Sequence, residues 1–261
     1  MKPNHIYPRQ EKDVSQSNNR INVPAFLYVQ IAESLLNWIE SEELTPGKRL
    51  PPERELSKTL GVNRTTIRQA LNILQDRGLI YRRQGQGTFV ASPKIERQAG
   101  KLVPFTKSMQ QKGYKIEARL ITLEKILTDV SLAEELQLTV GQPAYFLCRI
   151  RLINREPVLL ENIYIPAILF PEVERFDLSQ RSLYEVMDEE YNVKISYARQ
   201  SLEPVTARKY EADLLGIEPG APLMLERRLA FDQHERAVER ALDLFRGDRF
   251  RFVTELAPLE L

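Results

Sequence analysis

Two arginines, Arg149 and Arg151, stand one residue apart in the apolar segment AYFLCRIRLI. In an extended strand that spacing turns both side chains to one face. Two guanidiniums on one face of an apolar strand need an anionic partner, either a carboxylate of the protein or a ligand. Glu161, in the following strand-like segment PVLLENIYI, would be the internal partner. A second basic cluster lies in NRTTIRQALNIL. There Arg64, Thr65, Arg68, Gln69 and Asn72 share one side of a helix, while Ile67, Ala70, Leu71 and Leu74 form an apolar stripe on the other. Arginines and hydroxyls at the positive end of a helix dipole suit phosphates and base edges. Catalytic patterns are missing: there is no G-x-S-x-G elbow, no H-E-x-x-H and no P-loop. His5 and His234 have no second histidine or cysteine at ligand spacing, and Cys148 lies in an apolar run that reads as core. No enzyme activity, metal or cofactor is expected.

The segments around the basic helix are those needed to present it. Asn63 is a good N-cap, Gly61 supplies the turn before it, and Gly78 sits where a left-handed C-cap belongs. The prolines of LPPERE start the preceding helix. Tyr28, Ile31, Ala32, Leu35, Trp38 and Ile39 give an earlier helical stripe that can close the core. After the basic helix, IYRR and TFV read as short strands joined by QGQG, with Gly85 and Gly87 permitting a tight turn and close backbone approach. Arg82 and Arg83 flank that tip. The layout is a winged helix-turn-helix, which puts one helix in the major groove of DNA and a loop beside it. GQGTFV lacks the third glycine and the following helix of a dinucleotide loop. Charge agrees: residues 48–97 hold eleven Lys/Arg against four Asp/Glu, a net of +7 in a chain whose total is +1. Such a block is a nucleic-acid-binding module joined to something else.

From Lys101 onward the pattern changes. YKIEARLITLEKIL, PAYFLCRIRLI, PVLLENIYI, VKISYARQSLEPV, PLMLERRLAF and AVERALDLFRGDRFRFV are strand-like, and Asn154-Arg155-Glu156 makes a hairpin. SLAEELQL, SLYEVMDEEY and ARKYEADLLGI are helical by period. The expected fold class is α+β, an antiparallel sheet with helices packed on it. The expected organisation is a mobile tail over 1–23, a DNA-binding domain over 24–92, a linker over 93–101 and a second domain over 102–257. No apolar run is long enough to span a bilayer and no signal core is present. A lone cysteine suits a reducing cytoplasm.

PPERELSKTLGVNRTTIRQAL and RRQGQGTFV resemble the GntR family of bacterial transcription regulators. PFTKSMQQKGY, CRIRLINREPVLLENIYIP, SLYEVMDEEYNVKI, ARKYEADLLGIEPGAPLMLERR and LFRGDRF resemble its HutC subfamily, whose effector domain is the UTRA domain with a chorismate-lyase fold. The resemblance implies a homodimeric, effector-responsive regulator of double-stranded operator DNA, expected to be a repressor. It places Arg54, Arg64, Thr65, Thr66 and Arg68 in the major groove, and Gln86 and Gly87 of the wing, beside Arg82 and Arg83, near the minor groove. It makes Arg149 and Arg151 a clamp for a small anionic effector, a sugar phosphate or organic acid. Glu161 and Glu239 would bind sugar hydroxyls, and Thr106 and Ser182 would add phosphate-side donors. One departure stands out: the family's YRGDRY reads FRGDRF here, so Phe245 lacks the tyrosine hydroxyl. The alternatives are a constitutive DNA-binding protein whose second domain only dimerises, and a lyase-like enzyme fused to a DNA-binding head.

Overall fold

The computed structural model describes residues 26–41, 44–83 and 85–256, so the tail expected over 1–23, with His5, lies outside the described residues. The chain forms two units, residues 1–91 and 92–261.

In the first unit, α1 (Leu27–Glu40), α2 (Glu53–Leu60) and α3 (Arg64–Asp76) precede a hairpin of β1 (Ile80–Arg83) and β2 (Gly87–Val90). Its core joins Ile31, Ala32 and Leu35 of α1 to Leu56 of α2 and to Ile67, Ala70, Leu71 and Leu74 of α3; Ile80 and Val90 of the hairpin close it. Each large aliphatic side chain buried there contributes about 1.5–3 kcal/mol. The turn into α3 uses Gly61 at φ +66. Asn63 then caps α3, its Oδ1 accepting from the backbone N–H of Thr66 at 2.8 Å. The hairpin is antiparallel, in register from Ile80 opposite Val90 to Arg83 opposite Gly87. Gly87 is favoured by its φ of +116; a Cβ there would also lie 2.7 Å from Arg49 Nε, a contact that the flexible arginine can relieve by moving.

The second unit is built on a six-stranded antiparallel sheet. Its strands are β4 (Ile116–Leu127), β5 (Pro143–Ile153), β6 (Glu156–Pro166), β7 (Ile195–Thr206), β8 (Pro222–Asp232) and β9 (Ala237–Arg246), in the order β4-β5-β6-β9-β8-β7. Helices α4 (Phe105–Gln111), α5 (Val130–Glu135), α6 (Leu183–Tyr191) and α7 (Lys209–Leu215) pack around it. The β5–β6 hairpin turns through Asn154 and Arg155, both at positive φ (51° and 68°), as a two-residue hairpin with the right twist demands. Period-two alternation divides the sheet. Tyr145, Leu147, Ile163 and Ile165 meet Val186 and Met187 of α6 on one face. Cys148, Ile150 and Leu160 meet Ala212 and Leu215 of α7 on the other. Arg149 and Arg151 therefore share the α6 face.

One expectation is corrected. The stretch taken as a linker over 93–101 contains β3 (Ile95–Gln98), which pairs in parallel with β10 (Phe250–Val253) as part of the second unit. Its four residues alternate, burying Ile95 and Arg97 and leaving Glu96 and Gln98 more exposed. The strand-like run AVERALDLFRGDRFRFV folds as two strands, β9 and β10. The chain leaves the sheet after Arg246 through Gly247, where a Cβ would lie 2.8 Å from the carbonyl oxygen of Pro222. No helix among the described residues is long and apolar enough to cross a membrane.

Candidate functional site

The outward face of the first unit carries the basic residues expected on it. Arg54, Arg64, Thr65, Arg68, Arg82, Arg83 and Gln86 are exposed. Thr66 is partly tied back, its Oγ1 donating to Asn63 Oδ1 at 3.0 Å. Arg82 Nη2 donates to Asn72 Oδ1 at 2.8 Å, which joins the wing to α3. Arg83 lies over the stacked rings of Tyr81 and Phe89, 5.4 and 5.5 Å from their centroids. Arg68 makes a two-pronged contact with Glu53, a residue that sequence reasoning missed: Nε to Oε1 at 3.3 Å and Nη2 to Oε2 at 3.0 Å. Arg64 Nη2 lies 3.7 Å from the same Oε2. The hydrogen bond from Arg68 is the main cause holding the Glu53 carboxyl below its ordinary range.

In the second unit a small cavity, about 40 Å³, opens between the α6 face of the sheet, the start of α4 and the N-terminus of α6. That is room for a few water molecules. All seven residues expected at an effector site line it: Thr106, Arg149, Arg151, Glu161, Ser182, Glu239 and Phe245. They do not behave as one clamp. Arg149 is committed internally, with Nε on Glu161 Oε2 and Nη1 donating to the carbonyl oxygen of Leu178 at 2.9 Å. Burial works to raise the Glu161 carboxyl, but Arg149 and Arg151 outweigh it and hold it below its ordinary range. Among the described residues Arg151 has one hydrogen-bond partner, the neutral Thr106, whose Oγ1 lies 2.5 Å from Nη2. Its Nε is buried without a hydrogen-bond partner among the described residues. Burial pulls its pKa well down, to about 10.

Four further polar or charged lining residues, Arg97, Tyr184, Arg228 and Asp243, were not among those expected from the sequence. Arg228 donates from Nε to Glu239 Oε1 at 2.9 Å and from Nη2 to Asp243 Oδ2 at 3.1 Å, and its Nη1 lies 3.3 Å from Glu226 Oε2. Tyr184 donates to Glu239 Oε1 at 2.9 Å. Arg97, on β3, stacks over Phe245 at 5.2 Å and lies 3.5 Å from Glu226 Oε2. Burial, with Glu161, Glu226 and Glu239 nearby, pushes Asp243 well above the usual carboxylate range despite Arg228. Glu239 Oε2 and Asp243 Oδ1 are buried oxygens left without a hydrogen-bond partner among the described residues. Glu226 and Arg228 point to one face of β8, with Arg227 between them on the other, as Arg149 and Arg151 do on β5, and that spacing would have found this end of the cavity. Phe245 is fully buried against Phe105, Phe250 and Phe252.

The family described as bacterial regulatory proteins of the gntR type matches residues 27–90, and the UTRA domain matches residues 111–251. The chain belongs to the GntR family. It is a DNA-binding transcription regulator with an effector-binding domain, of the HutC type expected from its sequence. Among its relatives, the HTH-type transcriptional repressor NagR of Bacillus subtilis is 38% identical over 230 residues, 88% of this chain and 94% of that protein. A probable fructoselysine utilization operon transcriptional repressor of Escherichia coli K12 is 27% identical, over 81% of this chain and 87% of its own length. The crystal structure of PhnF from Mycobacterium smegmatis is similar to this GntR-family chain with a TM-score of 0.63 and 28% identity, covering 87% of this chain and 99% of that one.

Proposed function

We propose that this regulator is a homodimeric cytoplasmic repressor that leaves its operator when a small anionic metabolite enters the cavity beside Arg151. The observation that carries the reading is Arg151 itself, a buried guanidinium with no carboxylate hydrogen-bonded to it and an unsatisfied Nε among the described residues. A buried charge in that condition is stabilised by an incoming anion. The N-terminus of α6, at Ser182, borders the same space and adds a positive dipole end. At the other end, the free acceptor of Glu239 calls for a hydrogen-bond donor. The ligand class is therefore an anion that also carries donors, such as a hydroxylated phosphate or hydroxy acid. Phe245 offers it an apolar wall and no hydrogen bond. Arg149 is assigned to holding Glu161 in place.

Entry of such a molecule into so small a space requires its lining to move, and a ligand shifts an equilibrium only through different affinity for two states. On the DNA side, Arg54, Arg64, Thr65, Thr66 and Arg68 are assigned to the major groove, and Arg82, Arg83, Gln86 and Gly87 to the wing contact. The names of the repressors among the relatives support the sign of regulation. We assign the protein no catalytic step. The test is a thermal-shift screen of sugar phosphates and small organic acids on the full chain, followed by operator release and molecular mass in solution with each hit. A hit should stabilise the wild type, release DNA and do neither in Arg151→Ala. Hits equally effective on Arg151→Ala would sink the pocket assignment, and a monomer that binds the operator tightly would sink the dimer.

A further inference from the structure

Glu53 is an acid set into a basic face. It is the first residue of α2, and its side chain is 25% exposed where those of Arg64 and Arg68 are 61% and 57% exposed. A guanidinium offers two edges for paired contacts, the side edge Nε–Nη2 and the end edge Nη1–Nη2. Glu53 occupies the side edge of Arg68 with both carboxylate oxygens. The end edge has Nη1 free of any partner among the described residues, and it is the edge that can fork onto O6 and N7 of a guanine. An untethered arginine on this face would swing to whichever phosphate is nearest. A tethered one reaches in a single direction.

A carboxylate here also opposes binding to any duplex, because it repels phosphates and cancels part of the charge of the face that meets them. A group that weakens all binding, yet is held by two arginines of the recognition helix, is an element of discrimination. We propose that Glu53 is a positioning residue that determines operator specificity: it holds Arg68, and through its second oxygen Arg64, to one geometry of base contact and suppresses sequence-blind phosphate binding. The inference rests on the assignment of Arg68 to base readout.

The experiment uses the full chain as wild type, Glu53→Gln, Glu53→Ala, Arg68→Ala and the Glu53→Gln/Arg68→Ala double variant. Each selects from a pool of random-sequence duplexes, and each is titrated at several salt concentrations on the best wild-type duplex and on a scrambled one. All should melt close to the wild type, since an exposed ion pair contributes little stability. Both Glu53 variants should bind the scrambled duplex several-fold more tightly. They should also flatten the preference at the same base pairs that Arg68→Ala flattens. Their salt slope should steepen by about 0.9 as the released arginine reaches a phosphate. The double variant should be no less selective than Arg68→Ala. An unchanged preference, with affinity altered by one factor on every duplex, would make Glu53 a plain surface ion pair and overturn the proposal. Flattening at other base pairs would overturn it too, since Glu53 would then read bases itself. If Arg68→Ala leaves the preference intact, the base-reading role of Arg68 falls and that of Glu53 with it; if only the Glu53 variants do so, Arg68 keeps its role.

Discussion

Replacing Arg149 and Arg151 by alanine, one at a time and without ligand, should give two different results from two residues that look equivalent on the strand. Arg149 and Glu161 are both buried, their side chains 5% and 6% exposed. Removing the guanidinium strands a buried carboxylate, which costs about 3–5 kcal/mol. In a domain of this size each kcal/mol moves the melting temperature by about 2–4 °C, so Arg149→Ala should melt about 6–20 °C lower. For Arg151 two effects oppose each other. The variant loses one hydrogen bond to Thr106, worth about 0.5–1.5 kcal/mol, and the stacking of the guanidinium over the Phe105 ring at 5.2 Å. It also removes a charge whose pKa burial has pulled down to about 10, which corresponds to about 3 kcal/mol held against the charged form. At pH 7, below both values, the group is charged in folded and unfolded chains alike, so that cost is present in full. The opposing effects nearly cancel, and Arg151→Ala should melt within roughly 3 °C of the wild type. Thermal unfolding of the ligand-free full chain at neutral pH, followed on the transition of the second unit, makes the comparison. Equal losses in the two variants, or an Arg149→Ala protein that melts like the wild type, would refute the division of roles.

Asn63→Ala should cost about 1 kcal/mol through the missing cap on Thr66, seen as earlier unfolding of the first unit and weaker DNA binding. The raised pKa of Asp243 means that its contribution to stability is full below the unfolded value near 3.9 and is lost as pH rises through the folded value. Asp243→Asn should therefore flatten that decline and melt higher than the wild type at mildly alkaline pH; parallel melting profiles from about pH 4 to 8 would count against it. Replacing Arg82 and Arg83 together should reduce the salt slope of DNA binding by about 0.9 for each phosphate that is no longer neutralised. Sequence preference should stay largely intact, checked by titrating operator and scrambled duplexes over a salt series.

Most of the first unit was legible because local signals agreed there. The stripe of Ile67, Ala70, Leu71 and Leu74, the Asn63 cap and the glycine turns all point to the same helix, and all four stripe residues are buried. The long strands of the second unit were legible for the same reason. What escaped were features that exist only across long sequence separations. IERQ looks polar along the chain, and it becomes a strand only because β10, some 155 residues later, lies beside it. The Arg149–Glu161 pairing was foreseen as one of two options, and the neighbouring strands could satisfy either. Choosing between them needed the pocket geometry, in which Leu178 also reaches Arg149 and Thr106 reaches Arg151. Glu53 escaped because an acid in LPPERE reads as an ordinary first-turn residue until α3 is folded against it.

The parallel pairing of β3 with β10 sets the first and last strands of the effector domain side by side, Ile95 next to Phe250 and Gln98 next to Val253. The chain enters at Ile95 and leaves at Val253, opposite ends of one four-residue ribbon, so a sensor exchanged as a cassette carries its entry and exit strands as a single seam. The same arrangement makes β10 part of the seam: a chimera cut before Phe250 would carry an entry strand with no companion. Recombination that transplants such a sensor onto another reader would have to take both strands of the seam together.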